Sequence, residues 1–159
     1  MVSNALGLFP ASLALVLGNA VVSWLRGERG ATWAFLVVGA TAGASFSVLK
    51  DVVQRPRPAL WPRLVESDGY AFPSGHAMVT AAVFPLLAHV LARRAPRWAA
   101  AFWAMGLLVP LYVGFGRLYL GVHWPTDVLA GWALGALQSG LAVAWLRRRG
   151  RASPTGSPG

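Results

Sequence analysis

Three short stretches of this sequence place polar chemistry at the edges of long apolar runs. The first is KDVVQRPRP, Lys50 to Pro58. The second is PSGH, Pro73 to His76, which opens the apolar run from Ala77 to Ala92. The third is GRLYLGVHWPTD, Gly116 to Asp127. Together they bring two imidazoles, the carboxylate of Asp127 and several fixed cations. A neutral imidazole oriented by a carboxylate is a nucleophile, and a second imidazole can carry a proton. Lysine and arginine neutralise anionic oxygens. The combination is suited to handling an anionic group, and phosphate is its natural guest.

Each stretch has a local physical logic. Ser74 is a good N-cap for a helix starting at Gly75, and the first-turn amides of such a helix form an anion site through its dipole and unpaired N–H groups. Lys50, Arg57 and Arg117 can add ammonium and guanidinium donors. Pro56 and Pro58 stiffen the backbone around Arg57. In the third stretch, Pro125 suits the first turn of a helix, and the residue before it is kept out of the α region. Asp127, four residues after His123, can reach one imidazole nitrogen, fix the tautomer and stabilise positive charge on the ring. Taken alone, a histidine at a helix start is more often a cap or a hydrogen-bonded structural residue. The weight of His76 and His123 comes from their convergence with the cations.

The elements that must position these groups are helices in a bilayer. Of 159 residues, 56% are hydrophobic and 12% charged, against about 25% charged in an ordinary soluble domain. Five apolar segments approach the roughly 20 residues needed to span a membrane: Ala5 to Leu25, Ala31 to Leu49, His76 to Ala92, Trp98 to Phe115 and Pro125 to Leu146. The expected fold is an all-α polytopic membrane bundle, a single domain over residues 1–150 with a disordered tail at 151–159. Pro85 predicts a kink in the third helix. The first segment has no basic residue before Arg26 and reads as a retained helix rather than a cleaved leader. Two small-residue stripes predict close helix contacts, Asp127-Gly131-Gly135-Ser139 and Gly39-Gly43-Ser47, with Asp127 facing the bundle interior.

Charge placement predicts topology. Arg26, Arg29, Arg93, Arg94, Arg97, Arg147, Arg148, Arg149 and Arg151 fall on one side, which should be the cytoplasm. Lys50, Arg55, Arg57, Arg63 and Arg117 fall on the other, where they run against the bias and require a functional reason. The net charge of +9 does not read as a nucleic-acid surface, because the arginines cluster between apolar runs instead of lining one basic face. With no Cys there is neither a disulfide framework nor a thiolate metal site.

At this point the motifs resemble those of the type 2 phosphatidic acid phosphatase (PAP2) superfamily. Lys50 with Arg57-Pro58 resembles its Lys-x6-Arg-Pro signature, Pro73-Ser74-Gly75-His76 its Pro-Ser-Gly-His signature, and Arg117-x5-His123-x3-Asp127 most of its Ser-Arg-x5-His-x3-Asp signature. The resemblance implies a membrane lipid phosphatase that needs no metal or other cofactor. It implies that His123 attacks phosphorus to form a phosphohistidine, that Asp127 orients and activates it, and that His76 protonates the leaving oxygen. It assigns phosphate binding to Lys50, Arg57, Ser74, Gly75 and Arg117.

Two departures stand out. Gly116 occupies the usual serine position, which predicts weaker phosphate affinity rather than lost activity. Only five helices are readable where membrane members have six, the absent one being the first, so the chain is either a compact five-helix form or shortened at its start. Around the motifs, Arg55 and Arg63 read equally well as headgroup contacts or as part of the phosphate site. His89 reads as a packing or interface residue, Trp61 and Trp124 as interface anchors, and Glu66 and Asp68 as solvated loop residues or screens of the site.

The leading reading is therefore a phosphatase of a bacterial cell membrane, its site on the extracytoplasmic face, acting on a membrane lipid phosphate or diphosphate. A polyprenyl carrier diphosphate such as undecaprenyl diphosphate is favoured; phosphatidic acid, phosphatidylglycerol phosphate and prenyl-phosphoryl sugar phosphates are the alternatives. A non-catalytic lipid-phosphate-binding or channel-like protein is the reading from another class. A transporter would call for paired inverted repeats, which the sequence lacks.

Overall fold

The computed structural model describes residues 4–59, 65, 67 and 69–152. Trp61, Arg63, Glu66, Asp68 and tail residues 153–159, all given readings above, lie outside the described residues. The described chain is all-helical, as expected: α1 (Asn4–Leu25), α2 (Arg29–Val53), α3 (Gly75–Arg94), a 3₁₀ turn at Pro96–Trp98, α4 (Ala99–Tyr119) and α5 (Pro125–Ala152). The helices match the five apolar segments and outrun them at their ends. Long charged side chains such as Lys50 and Arg94 stay in helical backbone while their heads reach polar surroundings. For the same reason α5 continues through Arg147, Arg148, Arg149 and Arg151, so the first two residues assigned to the disordered tail are helical. Among the described residues, four stretches are long and apolar enough to cross a membrane: α2, α3, Pro96–Tyr119 and Pro125–Arg151; α1 contributes the apolar stretch Ala11–Leu25.

The central element is α3. In its most apolar window 67% of residues are buried inside the protein, against 17% for the stretch containing α4, so α4 presents Leu107, Leu108, Tyr112 and Phe115 outward. The core is small and aliphatic, with Phe35, Val38 and Ala42 of α2 packing around Ala82, Val83 and Leu86 of α3. Such packing suits a bilayer, where lipid tails are as apolar as the core and close backbone approach supplies the attraction. The α5 stripe works in this way. A Cβ on Gly131 would stand 2.7 Å from the Ser74 carbonyl, and one on Gly135 would run into the Met78 carbonyl. Helix α5 is thereby seated on the first turns of α3.

The α2 stripe behaves differently from expectation. Gly39 packs tightly on Val16 of α1, but nothing lies within 4 Å of a Cβ placed on Gly43, because Gly43 and Ser47 face a cavity between α1 and α2. At Pro85 the helix runs on to Arg94, and Gly106 of α4 lets that helix approach the Phe84 carbonyl and Pro85 closely.

The two poles of the bundle are tied differently. At one pole Arg94 Nη2 donates to Glu28 Oε2 at 2.7 Å and to the hydroxyl of buried Ser23 at 3.0 Å. This joins the turn between α1 and α2 to the end of α3, and the hydrogen bonds from Arg94 hold the Glu28 carboxyl below its usual range. At the other pole lie all three sequence motifs.

Candidate active site

The third motif is built around the start of α5. Asp127 is fully buried. Its Oδ2 accepts the backbone N–H of Trp124 at 2.8 Å, which closes the turn leading into Pro125. The same oxygen faces His123 Nδ1 at 3.6 Å, an approach longer than a hydrogen bond. The backbone N–H of Ser74 donates to the Asp127 carbonyl at 3.0 Å, so the second and third motifs are joined by main chain. This link and the glycine contacts of α5 set the distance between His76 and His123.

Arg57 braces the other side of the ring. Its Nε donates to the Gly69 carbonyl at 3.0 Å and its Nη1 to the Val122 carbonyl at 2.8 Å. The same Nη1 stands 3.5 Å from His123 Nε2. A guanidinium can only donate, so the arrangement favours Nε2 as the unprotonated nitrogen, with the proton on Nδ1 towards Asp127. Burial pushes the His123 pKa down to about 3, with the positive charges of Arg57 and Arg117 and the neighbouring His76 adding to it and a hydrogen bond to the Ala71 backbone opposing. The ring is neutral near pH 7.

These groups open into one cavity of about 630 Å³. At one end it is lined by Lys50, Arg57, His76, Arg117 and His123; its walls further in are apolar and come from α1 and α2, including Leu13, Val16, Leu36 and Gly43. Lys50 Nζ lies 4.8 Å from the centre of the Phe46 ring. The same Phe46 ring packs where a Cβ on residue 75 would be, at 2.5 Å, so a side chain there would have to displace the ring. Arg117 is buried, and its Nε has no hydrogen-bond partner among the described residues. Ser74 occupies the N-cap position but makes no side-chain cap bond. Its buried hydroxyl likewise lacks a partner among the described residues. Unpaired buried donors are costly unless something anionic meets them. The structure thus brings together all eight site residues named from sequence. No group of three His, Cys, Asp or Glu side chains able to hold a metal ion occurs among the described residues.

Arg55, which the sequence left open between a headgroup contact and a part of the phosphate site, reaches the buried carboxylate. Its Nη1 donates to Asp127 Oδ1 at 2.9 Å and to Thr126 Oγ1 at 2.6 Å. Trp124, read as an interface anchor, donates from Nε1 to the Pro56 carbonyl at 3.0 Å, and the Arg55 guanidinium lies over its ring at 5.3 Å. The signal available in the sequence was the repeated Arg-Pro of RPRP, which sets two arginines two residues apart on a stiff segment. His89 is buried in α3 with its ring 6.4 Å from that of Trp103, in keeping with a packing role.

The family model of the PAP2 superfamily matches residues 31–151. The chain belongs to the PAP2 superfamily. It is 40% identical over 93 residues to phosphatidylglycerophosphatase B of Bacillus subtilis, covering 57% of this chain and 45% of that protein. It is 43% identical over 76 residues to an undecaprenyl-diphosphatase of Sulfolobus acidocaldarius, covering 46% of this chain and 32% of that protein. To a decaprenylphosphoryl-5-phosphoribose phosphatase of Mycolicibacterium smegmatis it is 40% identical over 113 residues, covering 69% and 52%. The chain therefore spans about half or less of the length of these curated relatives. Among solved structures, a transmembrane PAP2-type phosphatidylglycerolphosphate phosphatase from Bacillus subtilis superposes with a TM-score of 0.77 at 32% identity, covering 92% of this chain and 72% of that one. With its apolar helices, this PAP2 chain is an integral membrane protein.

Proposed function

We propose that the protein is a membrane phosphatase that hydrolyses a lipid phosphate or diphosphate through a phosphohistidine, without a metal ion. The observation that carries this reading is the two-ended cavity: fixed cations and both histidines at one end, apolar helix walls at the other. A lipid phosphate has the same two ends. Non-catalytic binding would account for the cations, but it gives no reason for an imidazole held neutral between an arginine and an aspartate.

In the proposed reaction the phosphoryl group is bound by Lys50, Arg57, Arg117, the Ser74 hydroxyl and the first-turn amides at Gly75. His123 Nε2 attacks phosphorus, forming a P–N bond as the bond from phosphorus to the leaving oxygen breaks. His76 gives its proton to that oxygen. Asp127 stabilises the positive charge that the ring acquires. Water then attacks the phosphohistidine, His76 takes its proton, the P–N bond breaks, and inorganic phosphate leaves. The cations act on charge that moves among phosphoryl oxygens in both steps.

The single-domain organisation and the site's address follow the same reading. Among the described residues Lys50, Arg55, Arg57 and Arg117 lie at the motif pole, opposite the basic cluster at the other pole, and the positive-inside bias supports an address on the extracytoplasmic face of a bacterial membrane. That address favours a polyprenyl carrier diphosphate, with the lipid monophosphate as leaving group. Phosphatidic acid, phosphatidylglycerol phosphate and prenyl-phosphoryl sugar phosphates share the bound moiety and are the comparison substrates. The test is phosphate release by the purified protein over a panel of these lipids, with and without a chelator. Release from a polyprenyl diphosphate that survives chelation is expected; abolition by the chelator would overturn the histidine mechanism.

A further inference from the structure

Arg55 lies outside the phosphate-binding set named above, yet it is the cation most intimately joined to the buried carboxylate. Its Nη1 reaches both Asp127 Oδ1 and Thr126 Oγ1, its guanidinium covers the Trp124 ring, and its carbonyl accepts the Ala71 N–H at 2.8 Å. The two oxygens of Asp127 are thus divided, with Oδ1 held by Arg55 and Oδ2 left to the Trp124 N–H and the Nδ1 edge of His123. Arg55 itself is not among the residues lining the cavity.

We propose that Arg55 is a positioning residue: it locks the rotation of Asp127 so that one carboxylate oxygen stays aimed at the His123 ring, and it tempers the basicity that carboxylate imparts to the imidazole. The inference rests on the phosphatase reading and adds a residue to it. A carboxylate with no solvent contact needs its charge matched, and among described residues Arg55 makes its one ion pair with a permanently charged group. Without it, Asp127 keeps only the Trp124 N–H as a hydrogen-bond donor among the described residues, and it can turn about that contact or draw a full ion pair from a protonated His123. The groups facing His123 are Asp127, Arg57, Arg117 and His76. Three of these are basic, so the ring's charge state depends on how much of the Asp127 charge Arg55 already satisfies.

The experiment measures steady-state kinetics of R55A, R55K, D127N and the double variant R55A/D127N in detergent, together with titration of the His123 ring by NMR. For R55A we expect kcat to fall about 10- to 100-fold while KM stays within about 3-fold, because no phosphate contact is lost. R55K should recover part of the loss. R55A in the D127N background should cost less than about 3-fold, since the group it acts through has already changed. The His123 titration midpoint should move to higher pH in R55A. A KM increase at unchanged kcat, full additivity with D127N, or an unmoved His123 titration would each overturn the proposal. R55K carries the same comparisons if R55A does not fold. Should the wild-type protein release phosphate from no lipid, the functional reading fails, while the His123 titration still decides the role of Arg55.

Discussion

Arg57 Nη1 stands 3.5 Å from His123 Nε2, and that relationship helps keep the proposed nucleophile neutral. Because the guanidinium is braced on the Gly69 and Val122 carbonyls, it stays beside the ring and opposes protonation at the nitrogen that must attack. Burial acts in the same direction and is the larger cause.

The sign of the resulting pH dependence follows. The His123 pKa falls from 6.5 unfolded to about 3 folded, so between those values the unfolded chain binds the extra proton. Stability from the buried neutral ring is complete above about pH 6.5 and is lost as pH falls towards 3. Thermal unfolding in detergent should show the melting temperature dropping over this window. His123→Gln, which keeps a neutral polar side chain, should flatten the decline; an unchanged slope would mean that His123 does not carry it.

The two glycine stripes predict opposite responses to the same change. Gly135→Ala drives a methyl group into the Met78 carbonyl and should destabilise by about 1–3 kcal/mol, as overpacking does, displacing Asp127 with α5. Gly43→Ala adds its methyl group in open space and should leave the melting temperature nearly unchanged. Melting curves of the two purified variants check the contrast, and equal destabilisation would contradict the packing described here.

At Gly116 the added atoms also meet open space, with nothing within 4 Å of a Cβ. Gly116→Ser, which restores the usual hydroxyl of the family motif, should therefore fold normally. It should lower KM for the lipid phosphate while kcat changes by less than about 3-fold, an effect of one added hydrogen bond to an anion. Substrate titration of phosphate release measures both constants.

Much of this was legible in the sequence, for identifiable reasons. Apolar length marked the helices, and the Asp127-Gly131-Gly135 spacing marked the face of α5 that seats on α3. The i,i+4 spacing of His123 and Asp127 located their pairing. Gly39 and Gly43 could not be separated in this way, because one meets Val16 and the other a cavity, a difference decided by where α1 lies. The part played by Arg55 stayed open in the sequence for a related reason. Its partner Asp127 is distant in sequence, and the segment after α2 must fold back across the start of α5 before the ion pair exists. Local pattern reports a face or a cap; it does not report which of two nearby arginines meets the carboxylate and which the imidazole.

The most direct test of the central claim is to quench turnover of a lipid substrate labelled in its terminal phosphate and to map any label retained on the protein. The account predicts an acid-labile phosphoryl group on His123. It also predicts that His123→Ala retains no label there and loses phosphate release by more than about 10³-fold. Label found on another residue, or phosphate release persisting in His123→Ala at near wild-type rate, would contradict it.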